Sequence, residues 1–180
     1  MIVTTDPDGE IRKTGDTYEL VFRRRYAKPI EKVWAALTVP ERIADWFTQV
    51  TFHPRVELGA RIEVVFPETP DKIEPGEVIA FDPPRLLAWR WPFETAPAAI
   101  VRYELEADGD GCLLTFTHSH LGTHLLPNTG AGWHTFLEGL PIAIDGGRPN
   151  PWTEARENEL LPRYRAQARA LGALEQGTAR

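Results

Sequence analysis

Residues 98–120 read AAIVRYELEADGDGCLLTFTHSH, two alternating runs around the tetrad Asp108-Gly109-Asp110-Gly111. Apolar side chains recur every second residue on both sides of the tetrad, which is the period of a strand with one buried face. Asp-Gly between two such runs is the strongest short-range signal for a hairpin. Strands are therefore expected over Ala98–Leu105 and Leu113–His120. From Gly130 the period lengthens to that of a helix, with Trp133, Phe136, Leu137, Leu140 and Ile144 along one stripe. Pro141 lies within that stripe and is expected to kink or divide it.

The same reading extends toward the N-terminus. Gly76–Phe81 and Leu86–Trp91 flank Asp82-Pro83-Pro84, which cannot continue a ladder. Val50–Val56 and Arg61–Phe66 flank Leu58-Gly59-Ala60. Ahead of these come two short helices. Pro29 suits a first helical turn, followed by Ile30, Val33, Trp34 and Leu37; Pro40 ends that helix and opens another carrying Ile43, Trp46 and Phe47. A first strand is expected from Tyr18, where Tyr18, Leu20, Phe22, Arg24 and Tyr26 share a face. Hairpin-linked strands with segregated helices indicate an α+β fold with an antiparallel sheet of six to seven strands and a long C-terminal helix. Residues 1–15 are expected as a loose arm, 16–146 as the domain, and 147–180 as a polar helical extension packed on it.

Composition narrows the function classes. At 180 residues the chain fits one domain and needs no disulfide or metal to fold. Its single cysteine, Cys112, cannot form an intrachain bridge, and the start shows no basic-then-apolar leader, so a cytoplasmic location is expected. No apolar run approaches the ~20 residues of a membrane span, and no membrane partner is expected. A net charge of -6 argues against nucleic acid as a partner. Arg23-Arg24-Arg25 does not change this, because neighbours on a strand point to opposite faces.

The six tryptophans either fill a core or line a pocket. Alternation places Leu87, Trp89 and Trp91 on one face, with Val101, Tyr103 and Leu105 beside them. Leu114, Phe116, His118 and His120 follow on the last strand, opposite Trp133 and Leu137 of the helix. With Phe22, Arg24, Tyr26, Trp46 and Phe66 these make an apolar wall with a few polar groups, the composition of a small-molecule site. Arg24 on such a face must meet an acid, with Glu77 and Glu104 as candidates, or serve a ligand's anionic group. His118, His120 and His124 with Glu138 form the sole metal-like set, but their spacing matches no motif, and neither metal nor other cofactor is expected. No nucleophile elbow or phosphate loop occurs; were the chain an enzyme, Arg24, Tyr103 and His118 would be its candidates.

Arg24-Arg25-Tyr26-Ala27-Lys28-Pro29, Val33-Trp34-Ala35-Ala36-Leu37-Thr38 and Trp46-Phe47 together resemble the opening of the SRPBCC (START-like, Bet v-like) superfamily. The branch most resembled is the one named after the activator of the heat-shock-protein-90 ATPase. Gly76-Glu77-Val78, Asp82-Pro83-Pro84-Arg85-Leu86, Leu114-Thr115-Phe116-Thr117-His118 and Gly132-Trp133 continue the likeness in order, over about residues 18–146. Leu58-Gly59-Ala60 departs from it, standing where a Gly-Gly pair is usual. The resemblance implies a helix-grip fold, with two short helices after the first strand and a cavity between sheet and helix. The function it implies for this chain is non-catalytic binding of a small hydrophobic molecule, aromatic, lipid or acyl. An aromatase/cyclase or hydrolase-like activity in the same cavity is the alternative. A chaperone partner rests on the family name alone and is not expected, while a homodimer stays open.

Overall fold

The computed structural model describes residues 8–91, 99–149 and 152–174. Residues 1–7 of the expected arm, Ala98 of the expected strand, and 150–151 and 175–180 of the expected extension lie outside the described residues. In chain order the elements are β1 (Glu10–Thr14), β2 (Thr17–Tyr26), α1 (Ile30–Thr38), α2 (Pro40–Trp46), β3 (Gln49–His53), β4 (Arg61–Val65), β5 (Glu74–Asp82), β6 (Leu86–Arg90), β7 (Ile100–Asp108), β8 (Gly111–Leu121), α3 (Leu126–Ile144) and α4 (Glu154–Ala170). The strands form one antiparallel sheet in the order β1-β2-β8-β7-β6-β5-β4-β3. The fold is α+β, with the helices gathered against a single sheet.

The β7–β8 hairpin turns where its sequence requires, with Asp108 opposite Gly111 and Gly109 at φ +59°. A positive φ there costs glycine nothing and most other residues a steric clash. Pro40 opens α2 directly after the C-cap of α1, so one proline both ends the first helix and starts the second. Pro141 sits in the last turn of α3, where its missing N–H removes a single ladder bond, and the helix runs on undivided to Ile144.

Four expectations are corrected. The sheet has eight strands among the described residues, and the two short helices follow the second strand. The added strand is β1, which lies in the segment expected as a loose arm; it pairs along β2 from Glu10↔Val21 to Thr14↔Thr17 and buries Ile11. The alternation of β8 breaks near its end. Leu20 lies opposite His118 but Tyr18 opposite Leu121, so Ser119 and His120 share the space facing Glu19. This bulge puts His120 at φ 59° and turns it outward, while Leu121 takes the buried position.

α3 lies against the face of the sheet bearing Leu87, Trp89, Val101, Tyr103, Leu114 and Phe116, all essentially without solvent exposure. Burying each such side chain contributes about 1.5–3 kcal/mol. α4 packs in turn on α3 and reaches β1. Its buried stripe is Leu160, Leu161, Tyr164 and Ala168, and Thr153 caps its start by accepting from the Arg156 amide at 3.2 Å.

Candidate ligand-binding site

Strand register brings the aromatic wall together. Trp89, Val101 and His118 form one row across β6, β7 and β8, and Leu87, Tyr103 and Phe116 form the next. α3 lowers Trp133 onto these rows, with its ring 4.4 Å from Phe116 and 5.5 Å from Trp91 between centroids. Trp46 reaches in from α2, edge-on to Tyr103, and its indole N–H donates to the Ala36 carbonyl at 2.9 Å. Trp89 packs on Tyr103 at 5.3 Å, and Leu137 is buried beneath the same helix. These rings pack on one another within the buried core.

Polar atoms sit inside that core. Trp133 Nε1 donates to His118 Nδ1 at 2.9 Å, so the neutral imidazole carries its proton on Nε2. Burial pushes the His118 pKa down to about 3, which keeps it neutral at physiological pH. Its Nε2, the Tyr103 hydroxyl and the Trp89 indole nitrogen are all buried without a hydrogen-bond partner. Burial also raises the Tyr103 phenol well above its ordinary value.

Arg24 lies apart from them, toward α3 and α4. The acids expected to pair with it are engaged elsewhere, Glu77 with Arg90 at 3.7 Å and Glu104 with Arg102 at 2.8 Å. The Arg24 guanidinium lies 5.5 Å from the centre of the Phe22 ring, and its Nε and Nη2 are buried without partners, as is the neighbouring Tyr26 hydroxyl. Its charge is felt by His134, Glu138 and Tyr164, which form a chain between the two helices. The Tyr164 oxygen accepts from the Gly9 amide at 3.1 Å and lies 2.8 Å from His134 Nδ1. Glu138 Oε1 is 3.4 Å from His134 Nε2, and both Glu138 oxygens accept from Arg156, at 2.6 and 3.0 Å. Burial first, then Arg24, pushes the His134 pKa down to about 4. Arg24, Tyr103 and His118 therefore do not make one constellation. Nor do the histidines converge: His118 is buried, while His120 and His124 are exposed.

An open recess lies where the β4 exit, α3 and the start of α4 meet. It encloses about 560 Å³ and is lined by Phe47, Phe66, Pro67, Glu68, Gly132, Phe136, Trp152 and Glu157. Phe47 forms its floor, edge-to-face with Phe66 at 5.8 Å and with Phe136 at 4.9 Å, and stacked on Trp133 at 4.8 Å. Gly132 and Phe136 are one helical turn apart on α3, so the glycine leaves space beside the ring. Trp152 Nε1 donates to Glu157 Oε2 at 2.5 Å, which fixes the indole at the rim. Phe66 is the residue of the expected wall that lines this groove. The rest of the lining escaped the sequence reading, because strand alternation says nothing of a surface made by two helices and a loop.

An antiparallel sheet closed by a long helix, with two short helices between its strands, defines a START-like helix-grip protein of the SRPBCC type. Within that class, the chain belongs to the family of Activator of Hsp90 ATPase homolog 1-like proteins, which residues 27–144 match. Similar solved structures include CalU16 from Micromonospora echinospora, at 25% identity and a TM-score of 0.71 over 89% of this chain and 96% of that one. DynU16, from the dynemicin biosynthetic locus, is also 25% identical, with a TM-score of 0.65 over 78% of this chain and 52% of its own. The Aha1 dimer of Colwellia psychrerythraea shares the fold at 20% identity, with a TM-score of 0.62 over 73% of this chain and 98% of that one. No curated protein sequence matches significantly.

Proposed function

We propose that the chain binds a small, mainly aromatic or aliphatic molecule without transforming it, and that the groove on α3 and α4 is where the molecule sits. The observation that carries this reading is the groove itself. About 560 Å³ of space has a floor of three mutually packed phenyl rings and a tryptophan at its rim. That volume falls within the range of small-molecule sites, which are apolar with a few placed polar groups. DynU16 belongs to the dynemicin biosynthetic locus, and a 25% likeness to it favours a small biosynthetic molecule as ligand over a macromolecule. Neither buried histidine, His118 or His134, lines the groove, which favours binding over acid–base catalysis there.

The test is an NMR titration of the full chain with 1-naphthalenemethanol, before and after Gly132→Leu. A Cβ added at Gly132 meets no atom within 4 Å, and the residue lines the groove, so a leucine there is expected to take up ligand space. Shifts confined to Gly132, Phe136 and Trp152, lost in the variant, are expected. Shifts elsewhere, or shifts that survive Gly132→Leu, refute the assignment.

A further inference from the structure

Resting on the groove reading, we infer that the groove selects organic cations: an ammonium group carried on an aromatic or other apolar frame. Its polar lining is one-sided. Glu68 and Glu157 contribute carboxylates, and among the described residues no lysine, arginine or histidine lines the space. The nearest guanidinium by sequence, Arg156, is held by Glu138 and Glu159, at 2.6 and 2.8 Å, and neutralises neither groove carboxylate. Glu157 accepts from the neutral Trp152 indole, which orients it but leaves its charge uncompensated.

The aromatic side of the groove matches the same chemistry. Phe47, Phe66 and Phe136 stand edge-to-face or tilted to one another, with Phe66 and Phe136 6.5 Å apart at 40°, so ring faces point in more than one direction. Ring faces carry the negative part of the aromatic quadrupole and attract an alkylammonium, most strongly where water is thin. Glu68 is exposed and Glu157 half-buried, and an entering ammonium supplies the counter-charge that the groove lining lacks. A neutral ligand gains the apolar contact only, and an anion meets like charge. The groove therefore discriminates by charge at a site where shape alone would admit many flat molecules.

The experiment compares three probes on one ring: 1-naphthylmethylamine, 1-naphthalenemethanol and 1-naphthoate, titrated into the full chain at pH 7 and followed by groove resonances. The amine is expected to bind about tenfold tighter than the alcohol, with naphthoate weakest. Glu68→Gln with Glu157→Gln is expected to erase the amine's advantage over the alcohol. The second of these substitutions keeps an oxygen acceptor for the Trp152 indole, so the rim stays in place. Equal binding of all three, or preference for naphthoate, overturns the cation inference while the groove reading stands. Absence of groove-confined shifts with every probe overturns both.

Discussion

Trp133 donates its indole N–H to His118 Nδ1 at 2.9 Å, and this one bond links α3 to β8 through the middle of the aromatic core. Trp133 also stacks on Phe47, the groove floor, so the same side chain joins the binding surface to the sheet. Trp133→Phe keeps an aromatic ring but leaves Nδ1 buried and unpaired, which costs about 1–3 kcal/mol beyond the lost volume. Urea denaturation should show that loss, and adding His118→Leu should recover part of it, because the second change removes the orphaned acceptor. A Trp133→Phe loss below about 0.5 kcal/mol, the level of an ordinary surface change, would mean the bond contributes nothing net.

The two buried imidazoles set an acid limit on stability. His118 and His134 have folded pKa values near 3 and 4, both below the ordinary 6.5, chiefly through burial. Depressed values mean that the unfolded chain takes up protons first as the pH falls. Their contribution is fully present above about pH 6.5 and is lost progressively down to the folded values. Each proton taken up only on unfolding adds a slope of about 1.4 kcal/mol per pH unit. Denaturation midpoints between pH 7.5 and 4.5 should fall accordingly, and His118→Asn should reduce the slope over that window. An unchanged slope would show that His118 titrates normally in the folded protein.

Gly130 and Gly132, two residues apart on one helix, should respond oppositely to alanine. A Cβ at Gly130 would fall well inside van der Waals contact with the Tyr164 ring, which is fully buried and cannot step aside. Gly130→Ala should destabilise by about 1–3 kcal/mol, as overpacking does. A Cβ at Gly132 meets nothing within 4 Å, so Gly132→Ala should stabilise by up to about 1 kcal/mol through helix propensity. Thermal melts of the two variants distinguish a packing contact from an open groove wall.

Much of this fold is written in local periodicity. Asp108-Gly109-Asp110-Gly111 announces its hairpin, and Pro29 and Pro40 mark the two short helices where they occur. β1 was not legible, because Glu10–Thr14 has only Ile11 to bury and its pairing depends on β2 and on Gln167 of α4, 156 residues from Ile11. The β8 bulge was also hidden, since an added residue looks like continued alternation until its partner strand is placed. The wall residues were legible as buried, but periodicity does not distinguish a side chain that faces a ligand from one that faces another ring. The groove combines positions 47, 66–68, 132–136 and 152–157, and their meeting depends on where α4 docks. The sequence of α4 shows a buried side of Leu160, Leu161, Tyr164 and Ala168 but not where that side docks, because nothing local pairs Tyr164 with Gly130.

That docking has a second fastening at the open edge of the sheet. The Ile11 amide of β1 donates to Gln167 Oε1 at 2.8 Å, and Gln167 Nε2 donates to the Gly9 carbonyl at 2.9 Å. One side-chain amide thus pairs with the outer rim of an edge strand as a neighbouring strand would, and it blunts the edge against pairing with another chain. Gln167→Ala should cost about 1–2 kcal/mol and should speed hydrogen exchange at Ile11, while the β7–β8 hairpin keeps its protection. Gln167→Glu retains the acceptor for Ile11 but places a carboxylate against the Gly9 carbonyl, so its effect should be at least as large at Gly9 and smaller at Ile11. If Gln167→Ala leaves Ile11 protected, β2 alone holds the edge strand and α4 is fastened by Tyr164 without it.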